Sequence, residues 1–207
     1  MDAAMGAAYR VIVAAPTGPA GRAQCRAVLL AGLRGYVLEV GAGRGQNFPY
    51  YPASVTQLIA VEPSRRRRNR ARAAARQANM QIEIVPGTAE DLPGQDGDYD
   101  AVVACLVLCS VPDQQAALSE IRRVLRPGGQ LRYFEHVVSG RPSLARLERL
   151  LDTTLYPPLA RGCHCSRDTG AAIRQAGFQI EQEAPIAVRE AQLGPSVQHI
   201  LGIARRA

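Results

Sequence analysis

The chain has 207 residues, 47% apolar and 21% charged. That is the balance of a soluble globular protein with one well-buried core. Tryptophan is absent and aromatics reach only 5%, so Leu, Val, Ile and Ala must fill the interior. The formal net charge of +7 is carried by arginine alone, since no lysine occurs; with the abundance of alanine, this points to a GC-rich, bacterial coding bias. Five cysteines, an odd number, in a chain with no secretory signal predict reduced thiols in a cytoplasmic protein.

Residues 1–34 are expected to be helical in parts, broken at Pro16-Thr17-Gly18-Pro19, with Arg22 to Leu33 the better helix. This segment is read as a helical cover over a site carried by residues 35–207. Strands and helices then alternate. Tyr36 to Val40 reads as a strand ended by Gly41-Ala42-Gly43-Arg44-Gly45, and Gln57 to Val61 as a second. Ser64 can cap the helix that follows, which carries Arg65 to Arg68, Arg70 and Arg72. Arginines around most of a helix's circumference, without aromatics for base stacking, predict a solvated face and no nucleic-acid partner.

Gln81 to Val85 is the third strand and Tyr99 to Cys105 a buried fourth. The apolar run from Ala101 to Val111 is about half a membrane span and fits that strand better than a transmembrane helix. Pro112-Asp113 opens a helix through Leu125, closed by Arg126-Pro127-Gly128-Gly129, before a fifth strand at Gln130 to Phe134. Helices are then expected at Ser143 to Leu151 and Arg167 to Ala176, and strands at Phe178 to Glu183 and Gln198 to Ala204. Leu147 to Leu155 and Tyr156-Pro157-Pro158-Leu159 suit an apolar lid, or ordinary core. Apolar strands alternating with helices predict an α/β fold with a mostly parallel sheet covered on both faces.

Chemistry concentrates at the carboxyl ends of four successive strands, where ligands of open α/β sheets bind. Glycines directly after the first strand let the backbone turn sharply and let a ligand approach the main chain. Gly41, Gly43 and Gly45 are spaced G-x-G-x-G, with Glu39 two positions before the first. The dinucleotide fingerprint wants its third glycine where Gln46 stands, which disfavours a nicotinamide-dependent oxidoreductase. Glu62 ends the second strand about 20 residues on, where a carboxylate accepts hydrogen bonds from ribose hydroxyls. Gly87 to Leu92 follows the third strand, and Cys105 to Cys109 ends the fourth.

These residues resemble the class I methyltransferases that depend on S-adenosylmethionine (SAM), over roughly residues 35–138. The resemblance implies a Rossmann-like, seven-stranded sheet, mostly parallel with its last strand antiparallel and helices on both faces. Asn47 to Pro52, Leu106 to Val111, Arg123 to Gly129, Glu135-His136-Val137, Gly162 to Thr169 and His199 to Gly202 are similar to the methyltransferase-like thiol methyltransferases of animal membranes and their bacterial relatives. The animal members carry an N-terminal hydrophobic anchor to which nothing in this chain compares.

What the resemblance implies is a SAM site, with S-adenosylhomocysteine as product. Glu39, Gly41, Gly43, Gly45 and Asn47 would line it first, then Glu62 with Pro63. Thr88, Ala89 and Glu90 would hold the adenine, and Cys105, Leu106, Val107 and Cys109 would complete the pocket. The acceptor is expected to be a small molecule. A thiol comes first, because its pKa near 8.5 needs little base assistance; oxygen, nitrogen or carbon methylation of a metabolite or quinone-like ring is the alternative. Among possible bases, His136 follows the fifth strand, His199 begins the last, and His164 stands between Cys163 and Cys165. Each also has a structural reading, and Glu135 is placed to orient a neighbour. No metal is expected, because structural zinc sites separate paired cysteines by two to four residues and need a second pair.

Overall fold

The structure is a computed structural model that describes residues 18–139, 166–189 and 196–207, with Ser143, Arg146, Glu148, Leu150, Asp152, Cys163 and His164. Helix α1 (Gly18–Leu30) leads into β1 (Gly35–Val40), a short 3-10 helix (Phe48–Tyr50), β2 (Val55–Val61), α2 (Arg65–Ala75), β3 (Ile82–Val85) and β4 (Tyr99–Cys105). Then come α3 (Gln114–Val124), β5 (Leu125–His136), α4 (Thr169–Gln175), β6 (Phe178–Arg189) and β7 (Ser196–Arg206). The seven strands form one sheet in the order β3-β2-β1-β4-β5-β7-β6. The pairs from β3 to β5 are parallel, whereas β7 runs antiparallel to both β5 and β6. The expected fold class holds.

Burial explains why these segments are strands. β1 and β4 end in runs of buried residues with no polar alternation, as a parallel sheet covered on both faces requires. One core layer gathers Leu38, Val40, Val102, Ala104, Leu131 and Tyr133 with α3 and α4; the other gathers Val37, Leu58, Val103, Phe134 and Leu201 with α1. Ser64 and Asp113 cap their helices as the sequence suggests, Ser64 Oγ accepting from Arg67 N–H at 3.4 Å and Asp113 Oδ1 from Ala116 N–H at 2.9 Å; Asp168 Oδ1, accepting from Ala171 N–H at 2.9 Å, is a further cap.

Several boundaries move. β5 begins at Leu125, not Gln130, because Leu125 pairs with Tyr99 and the ladder resumes at Gln130 opposite Ala101. Arg126 to Gly129 is thus an irregularity within a strand, not a loop after a helix. β6 and β7 run to 12 and 11 residues, since each pairs along its length with the other. Helix α4 is shorter than expected because Asp168 caps it. In the expected helix 143–151, the described residues are helical; Tyr156 to Leu159 and most of the expected lid lie outside the described residues. Among the described residues, no helix is long and apolar enough to cross a membrane.

Candidate functional site

A single cleft of about 910 Å³ runs along the carboxyl ends of β1, β2, β4 and β5. Gly41, Gly43, Asn47 and Glu39 line it from β1, Glu62 and Pro63 from β2, and Thr88, Ala89 and Glu90 from the turn after β3. Cys105, Leu106, Val107 and Cys109 line it from β4, and His136 and His199 from the neighbouring ends of β5 and β7. Thirteen of the fourteen residues expected at a nucleotide, and two of the three candidate histidines, therefore share one space.

The three loop glycines serve different ends. A Cβ on Gly41 would lie 2.5 Å from Val107 Cγ2, and one on Gly45 would lie 2.5 Å from Phe48 Cε2. Gly45 is therefore a packing position that closes the turn over Phe48 and does not line the cleft. Gly43 differs: φ is +61° and a Cβ would meet only Gly41 O, at 3.9 Å. Its side-chain position opens onto the cleft, so its main chain is what a ligand would approach.

Glu62 is 2% exposed at the far end. Its Oε2 accepts from Gly43 N–H at 3.0 Å; its Oε1 accepts from Ser64 N–H at 2.8 Å and Arg67 Nε–H at 2.8 Å. The carboxylate is thus held by the turn it must serve. Arg67, in the run expected to be solvated, is exposed like its neighbours and also borders the cleft. Arg68 Nη1 donates to Glu62 O at 2.8 Å and Pro63 O at 2.6 Å, while Arg65, Arg66, Arg70 and Arg72 are exposed.

Beneath the loop, Glu39 is buried and already bonded: Asn47 Nδ2 donates to Oε1 at 2.9 Å and Tyr51 Oη to Oε2 at 2.8 Å. Burial pushes its carboxyl up to about 7, although Tyr51, Asn47 and the nearby Arg26 all pull it down. Arg26, from α1, donates to Asn47 Oδ1 at 2.5 Å and reaches Cys105 Sγ at 3.3 Å. Arg22 lines the same wall. Sequence reasoning missed both, because an arginine on an amphipathic helix carries no motif.

The turn after β4 is organised by Glu135, which is fully buried. Its Oε1 accepts from Val107 N–H and Leu108 N–H, both at 3.0 Å, and its Oε2 from Cys109 N–H at 3.1 Å. Burial and the neighbouring Cys109 raise its pKa, against the pull of those backbone donors. The bonds hold Leu106 at φ +59°, a left-handed conformation costing about 1–2 kcal/mol outside glycine. An acid directly after the strand residues Tyr133 and Phe134 was the available signal for this role.

At the opposite end from Glu62, His136 and His199 are direct cross-strand partners. Both are buried, with ring centroids 5.3 Å apart, and His199 also stacks on Phe134 at 5.0 Å. His199 Nδ1 lies 3.0 Å from Val197 O. A carbonyl only accepts, so Nδ1 carries the proton and Nε2 of the neutral ring is the basic nitrogen. His136 Nδ1 faces Cys163 Sγ at 3.2 Å. Cys163 lines the cleft and was not expected there. His164 is not brought into the cleft: its Nδ1 lies 4.0 Å from Asp152 Oδ2, and its N–H donates to Cys109 O at 2.8 Å. Among the described residues, no group of three or more His, Cys, Asp or Glu is arranged to hold a metal ion.

Comparison with known proteins gives concordant matches. A family model described as a methyltransferase domain matches residues 38–133. Thiol S-methyltransferase TMT1B of the mouse, Mus musculus, is 36% identical over 172 residues, covering 80% of this chain and 68% of the mouse protein. Among solved structures, the [4+2]-cyclase SpnF superposes with a TM-score of 0.74 at 19% identity, covering 92% of this chain and 83% of that one. A geranyl diphosphate methyltransferase in complex with SAM superposes with a TM-score of 0.70 at 16% identity, covering 90% and 84%. The structural likenesses speak to fold alone; one of these two neighbours is a cyclase.

Proposed function

The chain belongs to the class I SAM-dependent methyltransferases, and from that premise we propose that it transfers the methyl group of bound SAM to the thiol of a small molecule. One observation carries the reading: a single cleft joins the Gly43–Glu62 turn to the His136–His199 pair, so nucleotide and acceptor would share one space. The oxidoreductase alternative raised by the glycine loop falls with the family.

The cradle suits SAM. Gly43 leaves its main chain open, Glu62 is a buried carboxylate held at the next strand end, and Thr88, Ala89 and Glu90 flank the space beyond it. Glu62 would accept from the ribose hydroxyls, with Pro63 beside it, and Thr88 to Glu90 would border the adenine. Asn47 and Glu39 would stiffen the loop, and Arg22 and Arg26 of α1 would wall the side of the cleft that this helix covers. SAM supplies a methyl carbon activated by its sulfonium charge and is left as S-adenosylhomocysteine.

The chain's own work is to position and deprotonate the acceptor. His199 presents a basic Nε2 while Val197 O stabilises the proton on Nδ1, so His199 takes the thiol proton. His136 stacks against it and holds the neighbouring thiol of Cys163. The relationship to a thiol S-methyltransferase supports sulfur over oxygen, nitrogen or carbon as the acceptor atom.

The test is S-adenosylhomocysteine release with an alkyl thiol, a phenol and an amine supplied in parallel. The expected result is turnover at least tenfold faster with the thiol. For His199→Ala, the loss should be larger at pH 6 than at pH 9, where the acceptor ionises unaided. Turnover confined to the phenol or amine would overturn the thiol reading.

A further inference from the structure

We propose that Cys109 and Cys163 form an oxidation site at the acceptor end of the cleft, closing to a disulfide when the protein meets a hydroperoxide. The two residues are 54 positions apart in sequence and come from different connections, one after β4 and one between β5 and α4. The backbone joins them: His164 N–H donates to Cys109 O at 2.8 Å. This bond lays the peptide after Cys163 alongside Cys109, and a bridge needs two such neighbouring backbones. Cys163 is also the neighbour that does most to raise the pKa of the Cys109 thiol. Both residues carry reduced thiols, and both line the cleft.

The surroundings assign the order of events. Cys163 is partly exposed and lies 3.2 Å from His136 Nδ1, so its proton has a place to go as its sulfur attacks. Cys109 is buried, and the neighbouring Cys163, together with that burial, holds its thiol well above the usual range. Cys163 is therefore oxidised first. Its sulfur gives an electron pair to one peroxide oxygen, the O–O bond breaks, and the thiol proton passes by way of His136 to the departing alkoxide or hydroxide. The product is a sulfenic acid. The Cys109 sulfur then attacks that sulfur, the S–O bond breaks, and hydroxide leaves with the Cys109 proton as water. Two thiols lose two electrons, and the hydroperoxide is reduced to an alcohol, or water, plus one water.

The disulfide would tie the turn after β4 to the segment before α4, across the place where the acceptor must enter. Oxidation would then stop methyl transfer while leaving the Gly43–Glu62 end intact. The chemical part of the proposal does not depend on which acceptor the enzyme uses. The activity part rests on the proposed methylation reaction.

The experiment treats the full chain with one equivalent of hydrogen peroxide, blocks the remaining thiols, and maps the non-reduced peptides by mass spectrometry. The expected result is loss of two of the five thiols and a cross-link joining the Cys109 and Cys163 peptides, reversed by dithiothreitol. Cys109→Ser should instead leave a sulfenic acid at Cys163 that dimedone traps. A Cys163–Cys165 cross-link, or no cross-link with all five thiols retained, would overturn the site. In the second arm, oxidised protein should turn over acceptor at least tenfold more slowly, with the rate restored by dithiothreitol. A complete cross-link with undiminished turnover would overturn the closure, and would leave both the cross-link and the methylation reaction standing.

Discussion

Glu39 lies beneath the glycine loop with both carboxylate oxygens bonded, yet burial raises its carboxyl to about 7. A group with a raised folded pKa contributes stability that is fully present below its unfolded pKa, near 4.5, and lost as pH rises through the folded value. The window is therefore pH 4.5 to 7, and stability falls across it by on the order of 3 kcal/mol from this group. Glu39→Gln keeps the shape and one acceptor oxygen but cannot ionise. Urea denaturation at pH 5 and pH 8 should show a smaller decline for the variant; an unchanged decline would mean that another group sets the slope. Glu62 bears instead on ligand binding, because it lines the cleft at the end of β2. Glu62→Ala should weaken S-adenosylhomocysteine binding at least a hundredfold by calorimetry, and Gly43→Val should do the same by filling the cleft from a strained φ. Wild-type affinity in either variant would displace the nucleotide from this loop.

Among the elements, the turn after β4 depends most on its neighbour. Three consecutive backbone N–H groups point at one carboxylate of β5, and Leu106 keeps its left-handed conformation within that frame. Glu135→Gln would replace one acceptor oxygen with an NH2 group facing backbone donors. The expected loss is roughly 2–4 kcal/mol, the penalty for stranding buried polar groups, measured by denaturant titration. Loss of methyl transfer should exceed what the fraction unfolded explains, because Val107 and Cys109 line the cleft. A variant as stable as wild type would show that the turn holds without Glu135. This role was only half readable in sequence. An acid directly after Tyr133 and Phe134 signals a buried partner, but the partner amides come from a segment 26 to 28 residues earlier, which only pairing of β4 with β5 brings alongside.

For the whole molecule, the cleft is assembled from strand ends across the sheet, so a ligand there binds the folded chain and not the unfolded one. S-adenosylhomocysteine at a hundredfold excess over its Kd should stabilise the protein by about 3 kcal/mol, raising Tm by roughly 5–10 °C for a chain of this size. NAD(H) should leave Tm unchanged. The reverse pattern would overturn the SAM assignment.

The alternation of apolar strands and helices determined the sheet, and the G-x-G-x-G loop with Glu62 downstream determined where a nucleotide would lie. Both are local signals: period, glycine spacing and an acid at a strand end can be read within short stretches of chain. Tertiary structure alone decided the other end of the cleft. The antiparallel β5–β7 pairing puts His136 opposite His199, and a backbone bond from His164 to Cys109 sets Cys163 beside a thiol 54 residues away. It also turned His164 toward Asp152 and Gly45 toward Phe48, and set Arg67 at the border of the cleft. Each of these outcomes depends on register and on which side chain finds a partner across the fold. Local sequence carries no record of such long-range contacts, because they exist only after the chain has closed on itself.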